Sequence, residues 1–215
     1  LEGLGKGKVA IACSEGFGVH FIPSSILEFQ ERYPGIHFDV TICGPVQTSD
    51  LVRSGEADIG LSISRIAQKE IRVEYSQPSP VRVILRPDHP LADRKAITLS
   101  ELAGYPLALP SADTSLRQTV DIACSRRGLV IEPKVESNFP ATLHRLVLDG
   151  GYASLAGEVS VRHYVADGRM LAVPIRDRGL DVRRIELQTL AGRKLPVVVQ
   201  TFVDFLKQRL ARSAA

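Results

Sequence analysis

Along the first seventy residues, short uninterrupted apolar runs alternate with stretches in which apolar residues recur at three- and four-residue steps. Lys8 to Cys13 (KVAIAC) is one such run, without polar alternation, as suits a parallel strand covered on both faces. Ile22, Ile26, Phe29 and Tyr33 then share one face of a predicted helix that Pro34-Gly35 terminates. A second strand spans His37 to Cys43. Gly44-Pro45 turns the chain into a helix through Asp50, Leu51 and Val52, with Gly55 as its C-terminal cap, and Ala57 to Ser62 forms a third strand. Strand, helix, strand, helix, strand at this length predicts a right-handed parallel sheet with covered faces.

Two more strands, Arg72 to Tyr75 and Val81 to Leu85, precede Arg86-Pro87-Asp88-His89-Pro90, whose prolines mark a crossing to a second series. That series predicts a helical turn at Leu99 to Ala103, a strand at Leu107 to Leu109 and a helix from Ser115 to Arg127 stopped by Gly128. A strand at Lys134 to Glu136, a helix through Leu143, Leu146 and Val147, and a strand at Tyr152 to Leu155 follow. Met170 to Pro174 leads back, Val182 to Thr189 alternates as one more strand, and Val199, Phe202, Val203, Leu206 and Leu210 mark a final amphipathic helix. The expected fold is α/β: two Rossmann-like lobes joined by two crossover strands with a ligand cleft between them. Lobe I comprises residues 8–85 plus 172–211, and lobe II residues 86–171.

Composition narrows the function classes. With 215 residues, 44% apolar and 24% charged, the chain has ordinary globular statistics, which argues against disorder, collagen and a membrane protein. No apolar run approaches the ~18 residues of a membrane span, and Leu1 to Lys8 lacks the apolar core of a signal peptide, so a cytoplasmic protein without a membrane partner is expected. The net charge is +3, but 27 basic and 24 acidic residues are interleaved, which excludes a nucleic-acid stripe. Arg126-Arg127 and Arg183-Arg184 read as solvated surface. Cys13, Cys43 and Cys124 lack C-x-x-C spacing and read as reduced, small buried hydrophobes, with an oxidant-sensing pair of Cys13 and Cys43 as the alternative.

Candidate chemistry gathers where strands end, because ligands of open α/β sheets collect at the carboxyl ends of the strands. Ser14, Glu15, Gly16 and Phe17, in the loop Ser14 to Gly18, join a buried strand to a helix N-terminus, where free N–H groups and the helix dipole favour an anion. The same residues also suit a plain tight turn. Gly16-x-Gly18 lacks the third glycine of a dinucleotide fingerprint. Gly44 and Thr48, then Ser62, Ser64 and Arg65, follow the second and third strands and open onto the same edge. Thr48, Ser62 and Ser64 offer hydroxyls and Arg65 a carboxylate-pairing fork, against helix capping for Thr48 and solvation for Arg65. No G-x-S-x-G elbow, H-E-x-x-H helix or P-loop is present, so neither an enzyme nor a cofactor is expected. The five histidines have no pair at ligand spacing, so no metal is expected either; His144 reads as an exposed helical residue.

Four stretches in order, FIPSSILEFQERYPGIHFDV (21–40), DLVRSGEADIGLS (50–62), HPLADRKAITLSELAGYPLAL (89–109) and LHRLVLDGG (143–151), resemble the effector-binding domain of LysR-type transcription regulators, a fold shared with periplasmic solute-binding proteins. The resemblance covers nearly the whole chain from Lys8 onward. It implies a small-molecule effector between the lobes and a homodimer or homotetramer. It also implies DNA binding only through an N-terminal winged helix-turn-helix that the chain lacks, residues 1–7 being a linker remnant. The helix of Ile26, Phe29 and Tyr33 is then expected near a dimer interface. The resemblance also places Ser111 to Ser115, with Thr114, and Asn138-Phe139-Pro140 beside the cleft, Phe139 as an apolar wall, although capping explains much of both. Where such proteins often carry a proline, this chain reads Leu155-Ala156-Gly157, which changes one wall of the site. A transporter-type solute receptor is the alternative of the same fold.

Overall fold

The computed structural model describes residues 5–64, 69–180 and 183–212, with only the backbone of Ser64. The chain divides after Pro78 and again before Arg183, giving a first unit built from both ends of the sequence and a second unit built from its middle.

The first unit opens with β1 (Gly7–Cys13), the helical turn α1 (Glu15–Gly18), α2 (Phe21–Arg32), β2 (Ile36–Ile42), α3 (Pro45–Ser54), β3 (Ile59–Ser64) and β4 (Ile71–Pro78). The second unit runs through β5 (Val81–Leu85), α4 (Leu99–Leu102), β6 (Ala108–Pro110), α5 (Ser115–Ser125), β7 (Val135–Ser137), α6 (Pro140–Gly150), β8 (Ser154–Gly157), α7 (Glu158–Ala166) and β9 (Leu171–Pro174). The chain then returns to the first unit with β10 (Arg184–Leu190) and α8 (Val197–Arg212).

The first sheet has the order β2-β1-β3-β10-β4. β1 is parallel to β2 and β3, whereas β10 is antiparallel to both β3 and β4. The parallel arrangement expected from the alternation holds for β1, β2 and β3, and the sheet becomes mixed where the returning β10 inserts between β3 and β4. α3 covers one face through Val52, which packs with Ala12, Cys43 and Ala57. Proline at its first position suits the missing N–H there, and Gly55 at φ 79° closes the helix in the left-handed conformation. α2 and α8 cover the other face. Phe29 meets Phe202 at 4.9 Å between ring centroids and Phe38 at 6.0 Å, so the chain's last helix is tied to its first long one. Arg209 of α8 adds hydrogen bonds to the Ser24 carbonyl and hydroxyl and an ion pair with Glu28.

The second unit holds an antiparallel sheet β8-β5-β9 and a parallel pair β6-β7, which a parallel bridge of Leu107 with Ala153 links. Its core is aliphatic, centred on Val83, Leu85, Leu99, Leu102, Leu107, Leu109 and Leu155. α4 begins with a capping box of Thr98 and Glu101. The crossing lies at Pro78-Ser79, not at Arg86 to Pro90. β5, assigned to lobe I from its position in sequence, pairs instead with β8 and β9, and β9 stays with it. Two helical elements escaped the pattern: α1, too short to show a period, and α7, whose EVSVRHYV stretch alternates like a strand. No helix among the described residues is long and apolar enough to cross a membrane.

Candidate functional site

In the first unit β1, β2 and β3 all finish on one edge of the sheet, and β10, running against β3, begins there. Ser14 follows β1, and its backbone N–H donates to the Leu61 carbonyl at 3.0 Å, which holds it beside β3. Its hydroxyl, and that of the fully buried Ser62, are buried with no hydrogen-bond partner among the described residues. Such a group costs about 1–3 kcal/mol when nothing satisfies it, which makes these two hydroxyls the most distinctive feature of the edge.

The other candidates separate by role. The loop after β1 is itself the turn α1: Phe17 packs into the core at 2% exposure against Phe21, while Glu15 and Gly16 remain half-buried on its surface. Gly18 packs closely in this turn: a Cβ there would fall 2.5 Å from Ile42 Cδ1, so that half-exposed side chain would have to move. Gly44 starts α3. Thr48 is fully buried, donates to the Gly44 carbonyl at 3.0 Å and contacts the Cys43 thiol, so its hydroxyl closes the helix start from inside. Arg65 and the side chain of Ser64 lie outside the described residues.

Sequence reasoning missed a chain of polar side chains under α3. Ser49 Oγ donates to Gln188 Oε1 at 2.9 Å, and Gln188 Nε2 donates to Glu186 Oε2 at 3.0 Å. Glu186 sits directly opposite Ser62 in the β3–β10 ladder. The alternation of Val182 to Thr189 was legible as a strand, but nothing in it assigned a role to its polar positions. The signal available was the adjacent pair Gln188-Thr189, two uncharged polar residues that break the strict alternation of the strand. Arg183, read as surface, is only 5% exposed.

In the second unit β6 and β7 end together, at Pro110 and Ser137, where α5 and α6 begin. Thr114 caps α5: its hydroxyl accepts from Arg117 N–H and donates to the Ser111 carbonyl. Asn138 is exposed, and Phe139, the N-cap of α6, is 50% exposed, an unusual solvent share for an aromatic ring. Among the described residues, surface hollows include one between Ala103 and Lys134 in the second unit and one around Asp50, Arg53 and Glu70 outside α3, and neither is lined by these candidates.

His144 is not exposed but buried at 1%, with its Nδ1 unpartnered among the described residues and its ring edge-on to Tyr164. Burial, aided by the charge on His163, pushes its pKa down to about 4. All three cysteines are free and buried, and burial beside Cys43 pushes the Cys13 thiol up to about 12, far from a reactive thiolate. Among the described residues no three His, Cys, Asp or Glu side chains cluster as metal ligands.

The sequence matches the LysR substrate binding domain family over residues 2–211. The chain belongs to that family. LysR proteins are transcription regulators, and this domain is the one that binds the effector, which excludes the transporter-receptor alternative; the family is regulatory, not enzymatic. The chain is 26% identical over 219 residues to the regulator CysB of Burkholderia cenocepacia, covering 96% of this chain and 66% of that protein. It therefore spans about two thirds of the length of such full regulators. The fold is that of LysR effector-binding domains, similar to periplasmic binding proteins. The regulatory domain of CcmR from Synechocystis PCC6803, in complex with 2-PG, superposes with a TM-score of 0.72 at 24% identity over 95% of this chain and 97% of the other. The effector-binding domain of QuiR in complex with shikimate gives 0.71 at 18% over 96% and 98%.

Proposed function

We propose that this LysR domain senses a small anionic metabolite, which binds at the carboxyl ends of its strands and changes how a homodimer or homotetramer presents a preceding DNA-binding segment to a promoter. The setting is the cytoplasm. Ser14 and Ser62 carry the reading: two buried hydroxyls without hydrogen-bond partners among the described residues, on adjacent strands, at the edge of the sheet where α3 also begins. The first-turn N–H groups of a helix supply further donors for an anion. In the second unit Asn138 and Phe139 offer an amide and an apolar ring beside the start of α6. Two regulator domains of this fold, in complex with 2-PG and with shikimate, lend support. A difference of about 1–3 kcal/mol in effector affinity between two assembly states is enough to switch such a system.

Calorimetry with a panel of small carboxylates tests the proposal. Binding is expected to weaken roughly tenfold in either Ser14→Ala or Ser62→Ala, the worth of one hydrogen bond to a charged ligand, with no loss of thermal stability. No binding at millimolar concentration by any carboxylate, or unchanged affinity in both variants, overturns it.

A further inference from the structure

The strand-end site, if it takes an anion, confronts it with a carboxylate. Glu186 lies opposite Ser62 and two residues from Arg184, on the sheet face that α3 covers; a Cβ added to Gly60 on that face would stand 3.3 Å from Gln188 Cβ. Glu186 is half-buried and forms no ion pair among the described residues. Its oxygen Oε2 accepts from Gln188 Nε2, and Ser49 orients that amide by donating to its oxygen. The carboxylate is thus held in place by a neutral donor, with Oε1 left to accept from a further group. Arg184, the nearest cation along the strand, is turned to Ser76, to which its Nε donates at 2.9 Å.

A purely anionic ligand beside such a group meets like-charge repulsion, and a hydrogen-bond-donating cation meets attraction. Donors for an anion sit on the β1 side, at Ser14 and the start of α3. Glu186 on β10 is two strand spacings away, about 10 Å between backbones. That span, shortened by the side chains from both ends, fits a compact molecule with opposite charges a few bonds apart.

Resting on the anion-sensing reading above, we infer that the effector is a zwitterion, an amino-carboxylate whose ammonium is taken by Glu186 and whose carboxylate faces Ser14 and α3. Glu186 is then the residue that selects for the amine. Ser49 and Gln188 are positioning residues that act through it.

The test is calorimetry of the chain with matched series: propionate, lactate and alanine; succinate, malate and aspartate; 3-phenylpropionate and phenylalanine. In at least one series the amino acid should bind about tenfold more tightly than its deaminated partner, as one charge-assisted hydrogen bond provides. Glu186→Gln should erase that preference while leaving the deaminated acid bound as well as before or better. Deaminated acids that bind as tightly as the amino acids in every series, or a preference that survives Glu186→Gln, overturn this inference alone. Silence from all members overturns the anion-sensing reading with it. The series measured on the unaltered chain decide the question even if the variant folds poorly.

Discussion

Ser49 on α3 and Gln188 on β10, 139 residues apart in sequence, share a buried hydrogen bond of 2.9 Å. It joins a helix from the first quarter of the chain to the strand that returns after the second unit. Ser49→Ala should strand the Gln188 amide oxygen and cost about 1–3 kcal/mol, whereas adding Gln188→Leu should recover part of that loss. Urea unfolding of the two single variants and the double variant measures the coupling; additive losses would show that the bond contributes nothing.

Gly60 sets how closely α3 lies on the sheet. A Cβ there would stand 2.9 Å from Val52 Cγ2 and 3.2 Å from Thr48 Cγ2, both on a helix side buried to solvent. Gly60→Ala is expected to destabilise by about 1–3 kcal/mol through overpacking, and Gly60→Val by more. Thermal melts that leave the alanine variant unchanged would refute the close packing.

His144 gives the stability a pH dependence. Its pKa falls from 6.5 to about 4 on folding, so the unfolded chain binds its proton more readily across that window. Stability from this group is complete above pH 6.5 and is lost as the pH drops towards 4, on the order of 3 kcal/mol in all. Urea midpoints measured from pH 7 down to 4 should fall for the native chain and fall less for His144→Phe. Parallel curves would mean that the imidazole titrates normally.

Phe29 and Leu27 divide α2 between two tasks. Phe29, expected from the resemblance to lie near a partner, is 2% exposed in its own core, while Leu27 is 68% exposed. If copies of the chain associate through this helix, Leu27→Asp should shift sedimentation at tens of micromolar towards monomer without lowering the melting temperature. An unchanged distribution would place the association elsewhere.

Much of this architecture was legible because its elements have clean periods. The run KVAIAC gave β1, the apolar face of Ile22, Ile26 and Phe29 gave α2, and Gly55 marked the end of α3 within one residue. What failed depended on pairing, which a local pattern does not encode. Nothing in Val81 to Leu85 says that its neighbours are β8 and β9, so the boundary was drawn after Leu85 rather than after Pro78, seven residues late. The candidate edge was legible to the level of strand ends. That reasoning named Ser14 and Ser62, but it also admitted Phe17, which the core claims, and Thr114, whose hydroxyl is consumed by a cap. Glu186 and Gln188 stayed hidden because their importance arises from a strand that arrives from the far end of the chain.

The split of the first unit between the two ends of the sequence also orders its synthesis. On the ribosome the middle unit, continuous in sequence, emerges whole while its companion still lacks β10 and α8. Until Phe202 arrives, Phe29 and Phe38 lack the ring that packs against both, and Ser62 has no Glu186 opposite. The edge proposed to bind the effector is therefore completed only after the middle unit has been made, and folding of the first unit waits on segments synthesised more than a hundred residues after its opening strands.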